Sequence, residues 1–269
     1  MTLSPTAAVA TIREAAGESP LGTLEVLAQI DSTNSWLLAR PAPSPGQLDA
    51  CLAYAQTAGR GRHGRVWSAP AGAGLSLSMA WTFSRRPATL PALALAAGVA
   101  VRRALADLDI TGVSLKWPND LVAADGKLGG ILAELRGERG GQPSVVIGVG
   151  INLALPEAAR AAIVPSWGRG PVDLLTLTGR TPALEPLAGR VLARAAEMLA
   201  VFGAQGFSAF RDEFAAADYL FGRTLTCPGP AATLSGEGAG IDPDGALRLS
   251  CAGEIQRVVS GEVSVRLES

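Results

Sequence analysis

The chain has 269 residues, is 48% hydrophobic and 17% charged, and carries a formal net charge of −1, enough apolar material for one large core plus a small one. So balanced a charge argues against a general nucleic-acid binder, and the longest apolar run, 87–101, holds prolines and ends at Arg102 and Arg103, too short to span a bilayer. The N-terminus lacks a basic segment leading into an apolar one and carries Glu14 and Glu18, unlike a secretion signal, so a cytoplasmic protein is expected.

Residues 1–22 read as a lead-in with a helix over 6–16, too short for a helix-turn-helix. A strand is predicted over 24–30, then "DSTN" offers capping side chains to a helix bearing Trp36, Leu37 and Leu38. "LDACLAYAQTAG" begins as a buried strand and breaks at Gly59, and "LSLSMAWTF" (75–83) alternates as a half-buried strand does. A helix over 88–108 has a wide apolar face suited to packing on a sheet. Four strand-like runs follow at 112–117, 120–124, 127–135 and 144–153, with turns at "ADGK" and Gly140-Gly141, so this section should be mostly antiparallel. Helices are expected over 172–180, over 183–206 ending at Gly203 or Gly206, and over 207–220. From Gly222 the texture changes to short strands and turns, which predicts a small β-barrel as a second domain. The boundaries expected are 1–22, 23–221 and 222–269.

Cys51, Cys227 and Cys251 are too scattered for a disulfide framework or a C-x-x-C metal site, and the single His63 removes H-E-x-x-H chemistry. Chemistry must then use Lys, Arg, Asp, Asn or the backbone. No acid stands between Asp49 and Asp107, a span with seven arginines at 60, 62, 65, 85, 86, 102 and 103. That half of the chain favours an anion. "AGRGRHGRVW" (58–67) contains a literal G-x-G-x-x-G, but a loop and a strand follow it, and no acid lies near the position that would bind a ribose. A dinucleotide fingerprint needs a helix there. Gly126-Lys127 fails as a P-loop because Leu128 stands where Ser or Thr is required. What remains is a glycine loop whose Arg60, Arg62 and Arg65 either surround phosphate or carboxylate oxygens or form a solvated basic segment. "KWPNDL" places Lys116, Asn119 and Asp120 around a proline turn, and "GKLGGIL" places Lys127 before a glycine pair. These groups suit phosphoryl charge, with Asp120 either holding Mg²⁺ or orienting a lysine.

Taken together, "DSTN" (31–34), "Q-x-x-GRGR-x-GR-x-W" (56–67), "KWPNDL" (116–121), "GKLGGIL" (126–132), "GVGIN" (148–152), "GIDPDGAL" (240–247) and "SGEVSVR" (260–266) resemble the biotin protein ligases, in one order over nearly the whole chain. The resemblance implies an α+β catalytic domain of class II synthetase type, a mixed and largely antiparallel sheet packed by helices, with a C-terminal SH3-like β-barrel. It implies that biotin and ATP, with Mg²⁺, give biotinyl-5′-adenylate and pyrophosphate. A lysine of a biotin carboxyl carrier protein domain of a carboxylase then takes the biotinyl group. In the monofunctional form there is no specific DNA binding, and a homodimer is compatible with the resemblance.

Carried over by position, biotin would meet Ser32, Thr33, Asn34, Gln56, Gly59, Arg60, Gly61, Arg62, Lys127, Gly129 and Gly130. ATP would meet Arg62, Arg65, Trp67, Lys116, Asn119, Asp120, Lys127 and Asn152, with Asp120 as the Mg²⁺ ligand. The catalytic set would be Lys127, Arg62, Asp120 and Lys116, with Lys127 the main electrostatic catalyst. Ser32 and Thr33 equally suit helix capping, and Trp67 equally suits a core. The rivals are a lipoate or octanoate ligase or transferase of related fold, and a non-catalytic biotin sensor.

Overall fold

The computed structural model describes residues 4–68, 70–163, 170–227, 233–259 and 266–267. The first helix, α1 (Pro5–Ala16), starts because Ser4 accepts the Ala7 N–H and Pro5 sits where no backbone donor is needed, and it stops at Gly17 with φ +60°. Ala8, Ile12 and Ala16 form its buried stripe. That stripe packs on the long helix α6 (Leu184–Gln205), where Gly189 leaves room for the backbone at Ile12 and the Ala15 methyl. The expected lead-in is therefore part of the main core. β1 (Leu21–Leu27) likewise begins inside it, three residues before the predicted strand.

Seven strands form one sheet in the order β1-β2-β3-β7-β6-β5-β4. They are β1, β2 (Leu48–Ala53), β3 (Gly74–Thr82), β4 (Ser114–Lys116), β5 (Asp120–Ala123), β6 (Gly126–Arg139) and β7 (Gln142–Asn152). Only the β1–β2 pair is parallel, so the largely antiparallel expectation holds. The β5–β6 turn places Ala124 and Asp125 at φ +45° and +58°, the backbone a two-residue hairpin requires. Leu75, Leu77, Met79 and Trp81 of β3 and Val145, Ile147, Val149 and Ile151 of β7 face one way. They meet α3 (Leu93–Ala106) and α6, which with α1 cover that face. The other face receives the short helix α2 (Thr33–Leu38), through Leu37 on Cys51, Ala80 and Val146, and the loop carrying Trp67.

Further elements differ from their predicted form, among them α3, which begins at Leu93 after a 3₁₀ turn over Leu90–Ala92. α4 (Glu157–Ala162) was not foreseen. α5 (Leu174–Thr178) is shorter than predicted. The helix expected over 207–220 splits into a 3₁₀ turn (Gly206–Phe210) and α7 (Arg211–Ala216). The cause at its end is competition: Asp218 accepts the Leu220 N–H, while Leu115 of β4 donates to Ala217 O and accepts from Tyr219 N–H. The edge strand of the large sheet thus captures the backbone that would have continued the helix.

The C-terminal strands β8 (Thr224–Cys227), β9 (Leu234–Ile241), β10 (Leu247–Cys251), β11 (Glu254–Val258) and β12 (Arg266–Leu267) form an antiparallel sheet, order β11-β10-β9-β8-β12, where the small barrel was expected. "SGEVSVR" falls mostly on 260–265, outside the described residues. Leu225, Leu247 and Leu249 join the main core, and the buried Trp117 indole donates to Gly245 O at 2.9 Å. The turn carrying "KWPND", which contains a cis Trp117–Pro118 bond, is thereby tied to the small sheet.

Candidate functional site

On the face left uncovered by the long helices, the period-2 alternation of three adjacent strands puts small residues where the other face has large ones. Ser76 and Ser78 of β3, Gly148 and Gly150 of β7, and Gly130 and Leu132 of β6 line a cavity of about 520 Å³. A Cβ at Gly148 would meet the Asn34 amide, and one at Gly150 would meet the Trp67 indole. These two glycines therefore let α2 and the arginine loop lie on the sheet.

One end of the cavity is neutral and polar. The Thr33 N–H donates to Gln56 Oε1 at 2.8 Å, and Gln56 Nε2 donates to Ser76 Oγ at 3.3 Å. Thr33 Oγ1 lies 2.6 Å from Ser78 Oγ, which donates to Asn34 Oδ1 at 2.5 Å. Ser32 accepts the Ser35 N–H as the N-cap of α2, so capping and cavity lining coexist there. Asn34 gives its Nδ2 to Glu134 Oε2 (2.8 Å) and Leu132 O (3.3 Å). All its polar atoms have protein partners, so it orients the floor rather than meeting a ligand first.

The other end is charged. Lys116 and Asp120 are cross-strand partners on β4 and β5, with Nζ 3.6 Å from Oδ2. Lys127 Nζ lies 2.6 Å from Asp120 Oδ1. Lys116 is only 4% exposed, and burial pushes its pKa down to about 8 against the opposing pull of Asp120. Burial also lowers the pKa of Arg62, Asp120 again opposing and Arg65 adding to the fall. Lys127 is held by its backbone: its N–H donates to Gly170 O, its carbonyl accepts from Val172 N–H, and Asn152 Nδ2 reaches both Lys127 O (3.2 Å) and Val172 O (3.0 Å). Asn119 likewise gives Nδ2 to Ile131 O at 2.8 Å. Both amides use Nδ2 on the main chain, and among the described residues the amide oxygen is the atom left to accept from a ligand.

The arginine loop is a small hairpin rather than a bare loop. Trp67 N–H donates to Gly59 O at 2.9 Å, Gly61 N–H donates to Arg65 O at 2.7 Å, and Arg60 pairs with Val66. Its tip turns at His63 and Gly64, both with positive φ (+56° and +71°). Arg60, Gly61, Arg62, Arg65 and Trp67 all border the cavity.

Of the sequence-predicted residues, Gly59 and Gly129 do not line the cavity. A Cβ at Gly59 would strike Trp67 O, and one at Gly129 would strike Gly150 O, so both serve close backbone approach. Asp120 has a lysine at each carboxylate oxygen, and among the described residues no group of three His, Cys, Asp or Glu could hold a metal ion. The donor set therefore fits Asp120 as the orienter of two lysines and does not form a protein cage for Mg²⁺. Sequence reasoning missed Ser76, Ser78, Gly148, Gly150 and Glu134. The alternation of "LSLSM" and "GVGIN" carried the signal for the first four.

The chain is 37% identical over 248 residues to the bifunctional ligase/repressor BirA of Salmonella typhimurium, covering 91% of this chain and 75% of that one. The chain belongs to the biotin protein ligase family. The description "Biotin/lipoate A/B protein ligase family" matches residues 26–152, and "Biotin protein ligase C terminal domain" matches 221–266. A second family member, the biotin--[acetyl-CoA-carboxylase] ligase of Paracoccus denitrificans, is 32% identical over 88% of this chain and 98% of its own. The solved biotin protein ligase of Aquifex aeolicus, in complex with biotin and ATP, superposes with TM-score 0.76 at 28% identity, covering 91% of this chain and 99% of that one. The large sheet with its helical layer is thus the fold of biotin protein ligases.

Proposed function

We propose that the chain activates biotin with ATP and transfers the biotinyl group to a lysine of a carboxylase carrier domain. The observation that carries this reading is one cavity joining a neutral hydrogen-bonding floor to a Lys–Asp–Lys cluster, buried at Lys116 and Asp120 and half-buried at Lys127, under an arginine hairpin. A ureido ring needs neutral donors and acceptors, supplied by Ser32, Thr33 and Gln56. The carboxylate tail and the phosphates need cations, supplied by Lys116, Lys127, Arg62 and Arg65.

In the first step a biotin carboxylate oxygen attacks the α-phosphorus, the bond to the β-phosphate bridging oxygen breaks, and pyrophosphate leaves. Bringing two anions together is the difficulty, and Lys127, which lines the cavity, would offset charge on both. Asp120 aims Lys127 and Lys116, and Asn119 and Asn152 offer acceptor oxygens to an exocyclic amine of the base beside Trp67. Mg²⁺ would enter on the phosphates and supply further charge neutralisation there. In the second step the carrier's amine attacks the acyl carbon, an amide forms and AMP departs. No helix among the described residues is long and apolar enough to cross a membrane, and a cytoplasmic enzyme fits this chemistry. Incubation with biotin, ATP and Mg²⁺ followed by mass spectrometry should show biotinyl-5′-adenylate. Its absence while pyrophosphate is not released would overturn the proposal.

A further inference from the structure

Glu134, on β6, lies outside every motif and does not border the cavity, yet two parts of the site end on it. One carboxylate oxygen, Oε2, accepts Arg60 Nη2 of the hairpin at 2.5 Å and Asn34 Nδ2 at 2.8 Å. A carboxylate can only accept, so the Asn34 amide must turn its NH₂ toward Glu134 and its oxygen toward Ser78. The Ser78 proton then goes to Asn34 Oδ1, and the Thr33 proton is shared between Ser78 Oγ at 2.6 Å and Gln56 Oε1 at 3.1 Å. Thr33 is left presenting lone pairs at the cavity floor. A ligand N–H meets an acceptor at that hydroxyl, whereas a ligand carbonyl finds its proton already committed.

We propose that Glu134 is a positioning residue for ligand recognition. It fixes the proton direction along Asn34, Ser78 and Thr33 so that the floor selects a cyclic N–H donor, and it anchors the hairpin over that floor through Arg60. The proposal rests on the biotin-ligase reading for the ligand's identity, while the Arg60 anchor stands on the geometry alone. Glu134→Gln keeps the size of the side chain but loses the ion pair, and its amide can donate to Asn34 and reverse the chain of protons.

The test compares wild type, Glu134→Gln, Ser78→Ala and the double variant by biotin-dependent pyrophosphate release. Tryptic cleavage after Arg60 is followed in parallel without ligand. Glu134→Gln should raise KM for biotin about tenfold while kcat falls much less, a hydrogen-bond-sized loss in binding. The double variant should be no worse than the weaker-binding single one, because both break one chain. Cleavage after Arg60 should be faster in Glu134→Gln even without biotin. An unchanged KM with unchanged cleavage would overturn the proposal, as would kcat and KM worsening together with a lowered melting temperature. If wild type released no pyrophosphate with biotin, the ligase reading would fall, and the ligand-free cleavage rate would still decide the Arg60 anchor.

Discussion

The two faces of the seven-stranded sheet are made by the same strands and do opposite things. Along β3 and β7, odd-numbered positions carry Leu, Met, Trp, Val and Ile into a core under α3 and α6, while even-numbered positions carry Ser, Gly and Asn into the cavity. Close packing gives the first face its rigidity. The second face gives up that packing, so small side chains leave space and polar ones fix its chemistry. Stability and ligand recognition are therefore largely divided by residue parity, with Leu77 and Val149 reaching the cavity and Ala80 and Val146 packing under α2 as the exceptions.

The largest effect on activity is expected at the charged end. Lys127→Ala should lower adenylate formation by roughly 10²-fold or more with little change in melting temperature, the cost typical of a lost preorganised charge. Near wild-type adenylate synthesis would move Lys127 out of the mechanism. On the helical face, Phe202→Ala should cost about 3–5 kcal/mol in denaturant unfolding yet leave the specific activity of the folded fraction intact. Phe202 is fully buried, stacked near Phe210 and Phe83. A selective loss of activity there would break the separation of faces. Gly150→Val should displace the Trp67 ring and raise KM for ATP about tenfold, with stability changed less than by Phe202→Ala. The smallest effect concerns pH. Lys116 loses its charge as pH rises through about 8, whereas in the unfolded chain it keeps it to 10.5. The cost of the buried charge is thus fully present below pH 8 and lifts between 8 and 10.5. KM for ATP should climb above pH 8 in wild type and stay flat in Lys116→Arg, which remains charged. Parallel profiles would remove Lys116 from phosphate binding.

Much of this was legible in the sequence because it is local. The alternation of "LSLSM", the positive-φ turn at "ADGK" and the glycine stop after α6 depend on neighbours along the chain. Lys116, Asp120 and Lys127 were readable as a charged group, although their mutual ion pairs come from the β4–β5–β6 register. What escaped is long-range. Ile12 is buried by a helix that begins 172 positions later in the chain, at Leu184. The end of α7 is set by an edge strand, and Glu134 meets Asn34 and Arg60 only when three segments fold together. Gly59 and Gly129 show the converse, motif glycines whose requirement is backbone spacing rather than a ligand.

The central claim is that the small-residue face selects a ureido ring and delivers its carboxylate to the lysine cluster. Exchange of labelled pyrophosphate into ATP, driven in parallel by biotin and by lipoate, tests it most directly, because lipoate has the same kind of carboxylate tail but no N–H donor. The account predicts exchange with biotin and none above background with lipoate. Exchange driven by lipoate, or by neither acid, would contradict it.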